Sequence, residues 1–160
     1  AMANAKRDEF LGAHAPTPDY KTLSADIRFV LTAAKKSMLL SCHDISDGGL
    51  LMALFEMMLP QRGIGGTIGI NADLTDCSGE LQPAKTLFSQ TPGFVIEVNP
   101  TQEAEVQDLA KTTGAILFPL GTTTSKADLK ITHGEDLLLD AKLSKMLPVW
   151  QNGLRDKLKH

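Results

Sequence analysis

The sequence predicts an α+β fold, a layered sandwich in which a mostly antiparallel sheet is covered by helices. Segments with helical spacing and short apolar segments follow one another irregularly, without a long series of repeated strand–helix units, and this order favours such a sandwich. The chain has 160 residues, of which 42% are hydrophobic and 22% charged. These values are ordinary for one globular domain that buries its own core.

The first predicted element is a helix from Asp19 to Lys36. Its apolar residues recur at helical spacing and are expected to face the core: Leu23, Ile27, Val30, Leu31 and Ala34. A short apolar strand from Met38 to Cys42 follows. The next helix, from Gly48 to Leu59, carries only one charge, so we expect it to be buried on more than one side as the central helix.

The middle of the chain predicts a strand, a helix and a second strand. The strand from Ile64 to Asn71 contains glycines that permit close approach of another backbone: Gly65, Gly66 and Gly69. A helix is predicted from Ser78 to Phe88, and four of its residues are expected to face the core: Leu81, Ala84, Leu87 and Phe88. The strand from Phe94 to Val98 follows.

A further helix starts at Asn99-Pro100, where Asn is a good cap and Pro suits the first helical position. Val106, Leu109 and Ala110 form its buried face, and Gly114 ends it.

Two strands and a terminal helix complete the prediction. Ala115–Leu120 and Leu129–Thr132 are expected to be strands, with the polar, threonine-rich segment between them at a hairpin tip. The last helix begins near Ser144 and buries Leu147, Trp150, Leu154 and Leu158. Trp150 is expected to anchor the core.

The candidate site is a polar segment between a strand and a helix. Its residues are His43, Asp44, Ser46, Asp47, Gly48 and Gly49. The first amides of a helix lack intrahelical partners and carry the positive end of the dipole, so they bind anions such as phosphate. Glycines remove the Cβ atoms that would block the approach. A structural alternative stays open, in which Ser46 or Asp47 caps the helix and His43 is a hydrogen-bonded core histidine.

Catalysis by this segment alone is a weaker hypothesis. His43, beside Asp44, is a weak candidate for a general base. A Ser-His-Asp hydrolase built from Ser46, His43 and Asp44 fails, because neighbours so close in sequence do not form the required line of hydrogen bonds. The cysteines and histidines lack metal-ligand spacing.

Composition excludes several classes of partner and site. The net charge is −3, with scattered Lys and Arg, so a nucleic-acid partner is not expected. The apolar runs are too short to cross a membrane. Cys42, in an apparently buried strand, and Cys77 do not form a disulfide scaffold, which favours a cytoplasmic location. Residues 1–9 are interpreted as a cloning scar or boundary segment, and residues 10–160 as a single domain.

The stretch HDISDGGLLMALFEM, which starts at His43, resembles the His-Asp-(Ile/Val)-Ser-(Asp/Glu)-Gly-Gly-Leu segment of phosphoribosylformylglycinamidine synthases. LFSQTPGFVIEV, from Leu87 to Val98, is similar to the family's Leu-Phe-Gly-Glu-x-Pro-x-Arg-hydrophobic strand. Gln90 and Phe94 depart from the family's usual glutamate and arginine. The resemblance spans roughly residues 10–158 and implies the C-terminal domain type of aminoimidazole ribonucleotide synthetases, a layered and partly ferredoxin-like fold.

The resemblance also implies a function. Enzymes of this family use ATP and magnesium to convert formylglycinamide ribonucleotide and glutamine-derived ammonia to the amidine in purine biosynthesis. The chain would then be an inactive fragment with a structural or auxiliary-nucleotide role. Its partners would be an N-terminal synthetase-type domain of the same parent, a glutaminase and a small accessory subunit or domain, with a homodimer also open.

Two other functions remain open from the sequence. The first is a non-catalytic binding or dimerisation module. The second is the C-terminal domain of a selenophosphate-synthetase-like or hydrogenase-maturation relative.

Overall fold

The computed structural model describes residues 19–59, 68–79 and 81–157, with side chains as far as residue 153. The helices are α1 Tyr20–Lys35, α2 Gly49–Met57, α3 Thr75–Ser78, α4 Pro83–Phe88, α5 Glu103–Thr113 and α6 Leu143–Lys157. The strands are β1 Leu39–Asp44, β2 Gly69–Asp73, β3 Phe94–Val98, β4 Gly121–Thr124, β5 Asp128–His133 and β6 Asp136–Lys142. The predicted α+β class is confirmed.

The described strands form two sheets. β1 pairs with β3, and the other sheet has the order β4-β2-β5-β6. The pairs β1–β3, β2–β4 and β5–β6 are antiparallel, and β2–β5 is parallel. The sheets are therefore mostly antiparallel, as predicted.

The chain divides into two compact units. Of the described residues, 19–53 and 81–118 form the first unit, and 54–59, 68–79 and 119–157 form the second. The core of the first unit is formed by Phe29, Ala33, Met38, Val106, Leu109 and Ala110. The most deeply buried large side chains of the second unit are Leu54, Met58, Leu74, Leu129 and Ile131. Each unit thus buries apolar residues from segments that are distant in sequence.

Helix α1 has the predicted bounds but buries a different face. Asp19 caps it, accepting hydrogen bonds from Lys21 N at 3.0 Å and Thr22 Oγ1 at 2.6 Å. The buried residues are Ala25, Phe29 and Ala33, whereas Ile27 and Leu31 are 42% and 56% exposed. The predicted inward face is therefore wrong at Ile27 and Leu31, whereas Val30 is partly buried and packs against the core as predicted. The helix packs mainly through Phe29 and two small alanines, which permit close approach of neighbouring elements.

The other confirmed elements have strong local signals. α2 is buried at Leu50, Ala53, Leu54 and Phe55, positions that lie on more than one side of a helix. β1, β3 and β5 occur close to their predicted positions. At the start of α5, Asn99 Oδ1 accepts from Thr101 N at 3.0 Å. Gly114 ends the helix in the left-handed conformation, with φ +80°.

The helix predicted from Ser78 to Phe88 is wrong in extent. The described residues form two short helices, α3 and α4, and Pro83 lies at the start of the second one. Gln82 before it is extended, with ψ 139°, as expected for a residue that precedes proline. Leu81 and Phe88 are 56% and 60% exposed, and among the four predicted inward residues Leu87 is buried.

The predicted hairpin after α5 is also wrong. Ala115–Leu120 has no regular structure, and the threonine segment expected at a hairpin tip is strand β4. β4 pairs with β2, where Asn71 lies opposite Thr122. β-Branched threonines favour an extended backbone. Ala115 and Leu117 instead pack against the core of the first unit without belonging to a strand.

Strand β6 was not predicted and contains an irregularity. Ile131 lies opposite Leu139 and Thr132 opposite Leu137, so Leu138 is an extra residue, a β-bulge.

Close backbone approach is confirmed at Gly69, where an added Cβ would lie 2.6 Å from Asp128 O and still closer to Lys126 O. Gly65, Gly66 and the predicted strand start at Ile64 lie outside the described residues.

Trp150 is not the core anchor that its spacing predicts. Its ring centroid lies 6.1 Å from that of Phe55, and the residue remains 49% exposed. The neighbouring Val149 is 70% exposed. Because Leu154 lacks a described side chain and Leu158 lies outside the described residues, the predicted apolar face stays untested at those positions.

Asp73 links β2 to the turn between β5 and β6. Its Oδ1 accepts from Thr75 Oγ1 at 2.6 Å, Thr75 N at 2.9 Å and Gly134 N at 3.3 Å. The Thr75 side chain first, then the backbone amides, hold the pKa of Asp73 below its ordinary value. These hydrogen bonds favour the ionised carboxylate.

We therefore expect Asp73 to stabilise the fold at neutral pH and to stop doing so in acid. Because its folded pKa is depressed, the stabilisation is complete above the unfolded pKa of about 3.9 and is lost as the pH falls through the folded pKa. Urea unfolding of the original chain and of Asp73→Asn should differ at pH 7 and converge in strong acid. A constant difference in the free energy of unfolding would contradict this prediction.

Candidate functional site

The predicted site lies where β1 ends and α2 begins. His43 and Asp44 are the last residues of β1, Ser46 and Asp47 are exposed in the following turn, and α2 starts at Gly49. Gly49 N donates to Ser46 O at 2.9 Å and closes the turn. The strand–turn–helix arrangement is as predicted, except that His43 and Asp44 belong to the strand.

Gly48 and Gly49 both adopt left-handed backbone conformations, with φ +84° and +69°. An added Cβ at Gly49 would lie 2.6 Å from Leu87 O and 2.8 Å from Ser89 O. An added Cβ at Gly48 would meet the Met52 side chain. Glycine is therefore required at 49 for backbone packing, and the role of either glycine in ligand approach stays a prediction.

His43 is oriented by its neighbour. Its ring Nδ1 lies 2.7 Å from Asp44 O and 3.7 Å from Asp44 Oδ1. A carbonyl oxygen only accepts hydrogen bonds, so Nδ1 carries the hydrogen and Nε2 is the acceptor nitrogen of the neutral ring. The side chain of His43 is 26% exposed and that of Asp44 is 65% exposed. This tautomer is compatible with the weak candidate role as a general base.

A second segment lies beside residues 43–49, here called the motif turn. Ile45 N donates to Gly93 O at 2.9 Å, and Gly49 packs against the backbone at the end of α4 and at Ser89. Residues 45–49 and 87–93, which belong to the two stretches that carry the family resemblance and lie about forty positions apart, thus meet in the first unit. In the second segment, the Ser89 and Thr91 hydroxyls lie 2.7 Å apart, and Thr91 N donates to Ser89 Oγ at 3.2 Å.

Sequence reasoning missed the polar pair next to His43. Ser41 lies opposite Glu97 in the β1–β3 pairing, and Ser41 Oγ donates to Glu97 Oε2 at 3.1 Å. Ser41 and His43 are both half-buried. A glutamate inside the otherwise apolar strand FVIEV was the signal that could have identified the pair. Cys42, expected to be buried, is exposed, because β1 alternates between half-buried and exposed residues.

Phe94 lies directly opposite Asp44 in the β1–β3 pairing. We expect Phe94→Arg to create a cross-strand ion pair with Asp44, with a coupling free energy of about 0.2–1 kcal/mol because Asp44 is well exposed. Urea unfolding of Phe94→Arg, Asp44→Asn and the double variant measures this coupling. A coupling of zero at low salt would contradict the predicted pairing, whereas the stability of Phe94→Arg alone also contains the lost packing of Phe94.

The chemistry of the site is acidic and hydroxyl-rich. HDISDGG and LFSQTPGF contain neither Lys nor Arg. A phosphate bound here would accept hydrogen bonds from backbone amides and hydroxyls. The carboxylates of Asp44 and Asp47 would repel it unless a divalent cation lay between them and the phosphate. Among the described residues, no group of three His, Cys, Asp or Glu side chains is arranged to hold a metal ion. The described helices also include none long and apolar enough to cross a membrane.

Curated relatives include two kinds of protein. The phosphoribosylformylglycinamidine synthase subunit PurL of Carboxydothermus hydrogenoformans is 32% identical over 126 residues, which cover 78% of this chain and 16% of PurL. The probable tegument protein antigen 3 of Alcelaphine herpesvirus 1 is 31% identical over 134 residues, which cover 84% of this chain and 9% of the viral protein. The chain thus spans less than a fifth of the length of either relative.

Solved structures of Thermotoga maritima proteins share the fold. PurLQS matches with a TM-score of 0.67 at 16% identity, covering 80% of this chain and 22% of the matched chain. PurL complexed with ATP matches with a TM-score of 0.64 at 14% identity, covering 75% and 20%. Residues 2–134 match the family described as AIR synthase related protein, C-terminal domain. With most of its length in that match, the chain belongs to the family of C-terminal domains of AIR synthase related proteins.

Proposed function

We propose that the chain is a C-terminal domain of a phosphoribosylformylglycinamidine synthase, with ATP-dependent ligation of formylglycinamide ribonucleotide and ammonia as the activity of the whole enzyme. The observation that carries the proposal is the uninterrupted HDISDGG motif at a strand–helix junction, in a chain 32% identical to a PurL protein. Because this domain covers 16% of that relative, the rest of the enzyme would supply most of the active site. The isolated chain should be inactive as a ligase.

Within such an enzyme, the motif turn would have an auxiliary nucleotide-binding or structural role. One structural relative, Thermotoga maritima PurL, is complexed with ATP. Asp44, Asp47 and the exposed Ser46 offer hard oxygen donors, which suit magnesium carried by the nucleotide. The acidic pair fits a phosphate only together with such a cation. ATP would supply the phosphoryl group that activates the amide oxygen of the substrate in the whole enzyme.

The partners of the proposed enzyme follow from the same relationship. The domain would contact an N-terminal synthetase-type domain of its own parent chain. A glutaminase and a small accessory subunit would supply ammonia, and the PurLQS relative supports an assembly of this kind. Biosynthesis of purine nucleotides would place the enzyme in the cytoplasm.

The proposed function is tested in a chimaera. This chain replaces the matching segment of Carboxydothermus hydrogenoformans PurL, and ADP formation that depends on formylglycinamide ribonucleotide is measured with ammonia as the nitrogen donor. We expect the chimaera to be active. A chimaera that is folded by circular dichroism and inactive, beside an active unmodified PurL, would count against a synthase domain.

The nucleotide site is tested separately by calorimetric titration of the isolated chain with ATP, with and without magnesium. We expect magnesium-dependent binding that Asp47→Asn weakens, while Asp108→Asn on the exposed side of α5 leaves it unchanged. Gly49 is unsuitable for this test because its substitution disturbs backbone packing. Equal binding by both variants would exclude Asp47 from the site, and absence of heat would leave the motif a structural role.

A second candidate function is a binding module without catalysis. The specific observation in its favour is the tegument relative, which is 31% identical over 84% of this chain, close to the 32% over 78% found for PurL. Gln90 and Phe94, which depart from the synthase pattern, agree with this alternative. An inactive, folded chimaera together with absence of ATP binding would favour it.

A further inference from the structure

Helix α1 presents an apolar seam to solvent, opposite its buried face. Tyr20, Ile27 and Leu31 are 76%, 42% and 56% exposed. The exposed Ser24 and Ala34 complete this seam, which in chain order is Tyr20, Ser24, Ile27, Leu31 and Ala34. The intervals of four, three, four and three residues are the spacing of a coiled-coil seam. Because the buried residues Ala25, Phe29 and Ala33 lie on the other side, this seam is not part of the domain's own core.

A row of basic residues borders this seam on one side. Lys21, Arg28 and Lys35 are all exposed and recur every seven residues, so they lie one above the other on the helix. Arg28 Nη2 makes a long contact of 3.4 Å with Thr113 O. Two acidic residues lie on the opposite flank: Asp19, which caps α1, and Asp26, which is half-buried.

We propose that this seam and its basic row bind an amphipathic helix of a different protein. That helix carries acidic residues beside its own apolar seam. Charge complementarity selects such a partner, because carboxylates on the incoming helix would face Lys21, Arg28 and Lys35. This surface is distinct from the motif turn, so the inference does not depend on nucleotide binding.

The same charges disfavour a second copy of this chain. In an antiparallel pair of α1 helices related by a two-fold axis, equal flanks face each other, so the basic row would oppose itself. In a parallel pair, the basic row would face the half-buried Leu23 and Val30 instead of acidic residues. Neither arrangement neutralises the basic row, so a different acidic helix is the better occupant.

The test uses a designed helical peptide with leucine at every seam position and glutamate at the flanking positions. A fluorescently labelled form of the peptide is titrated with the 160-residue chain, and the fluorescence anisotropy of the peptide is measured. We expect saturable binding that weakens with added salt. A matched peptide with lysine in place of every glutamate should bind at least about tenfold more weakly, as expected when several exposed ion pairs are replaced by repulsion.

Variants of the chain locate the site. Ile27→Ser with Leu31→Ser should abolish binding, whereas Leu137→Ser on the exposed part of β6 should not change it. Reversing the basic row by Lys21→Glu, Arg28→Glu and Lys35→Glu should invert the preference, so that the lysine peptide binds better. Lys130→Glu on β5 is the matched charge control. Circular dichroism checks that each variant is folded.

Three results would overturn the proposal. The first is equal affinity for the glutamate and lysine peptides, or saturable binding by neither. The second is binding that persists after Ile27→Ser with Leu31→Ser. The third is a dimer in sedimentation that these same two substitutions dissociate, because the occupant would then be a second copy of the chain.

Discussion

Gly49→Ala is expected to lower the free energy of unfolding by about 2–5 kcal/mol, the sum of a left-handed alanine and an overpacked contact. The backbone at Gly49 has φ +69°, and the atoms that a methyl group would meet are backbone atoms of Leu87, Phe88 and Ser89. Backbone atoms cannot change rotamer, so the turn or the end of α4 would have to move. Urea unfolding followed by circular dichroism measures the effect.

Gly134→Ala is the matched control for this substitution. Gly134 also has a positive φ, +59°, but an added Cβ there would meet no atom within 4 Å. We expect this variant to lose about 1–2 kcal/mol, the cost of the left-handed conformation alone. Equal losses for Gly49→Ala and Gly134→Ala would show that the packing of Gly49 on residues 87–89 contributes nothing to stability.

Phe29→Ala is expected to destabilise the chain by about 3–5 kcal/mol, because it removes an aromatic ring from a core that cannot close completely around the cavity. Phe29 is 2% exposed and belongs to the core of the first unit, with Val106 and Leu109 of α5. Chemical denaturation at pH 7 provides the measurement.

Leu31→Ala on the same helix is the control for Phe29→Ala. Leu31 is 56% exposed, so we expect its free energy of unfolding to change by at most about 0.5 kcal/mol. The comparison distinguishes the buried face that the structure assigns to α1 from the face that its sequence predicts. A larger loss for Leu31→Ala than for Phe29→Ala would reverse the assignment.

The predictions for α1 show what a sequence leaves undetermined. Its bounds were predictable, because Asp19 is a good cap and the apolar residues have helical spacing. Two apolar faces were available, however, one with Phe29 between two alanines and one with Ile27 and Leu31. Which face becomes buried depends on the elements that pack against it, and a single helix does not encode that choice.

Local chemistry also explains which strands were predicted correctly. β3 is apolar and bounded by turn residues, so its extent, Phe94–Val98, matches the prediction. β4 was missed because its threonines are polar enough for a loop, whereas its pairing with β2 is a long-range contact.

The order of elements at the candidate site was predictable from the sequence, whereas the residues that surround it were not. The motif indicated a strand, a glycine turn and a helix, and the structure has all three. Two neighbours could not be derived from the spacing: the Ser89–Gly93 segment beside Ile45, and Glu97 beside Ser41. Both depend on the antiparallel pairing of β1 with β3, which joins residues about fifty to sixty positions apart.

The half-exposed Trp150 gives the protein an intrinsic fluorescent probe of unfolding. The chain contains one tryptophan and one tyrosine. Trp150, next to Phe55, belongs to the second unit, whereas Tyr20 at the start of α1 belongs to the first. Emission excited at the red edge, where tyrosine does not absorb, will therefore follow the second unit alone. Agreement between its denaturation midpoint and that of the circular dichroism signal would reveal a single cooperative transition, and separate midpoints two independently melting parts.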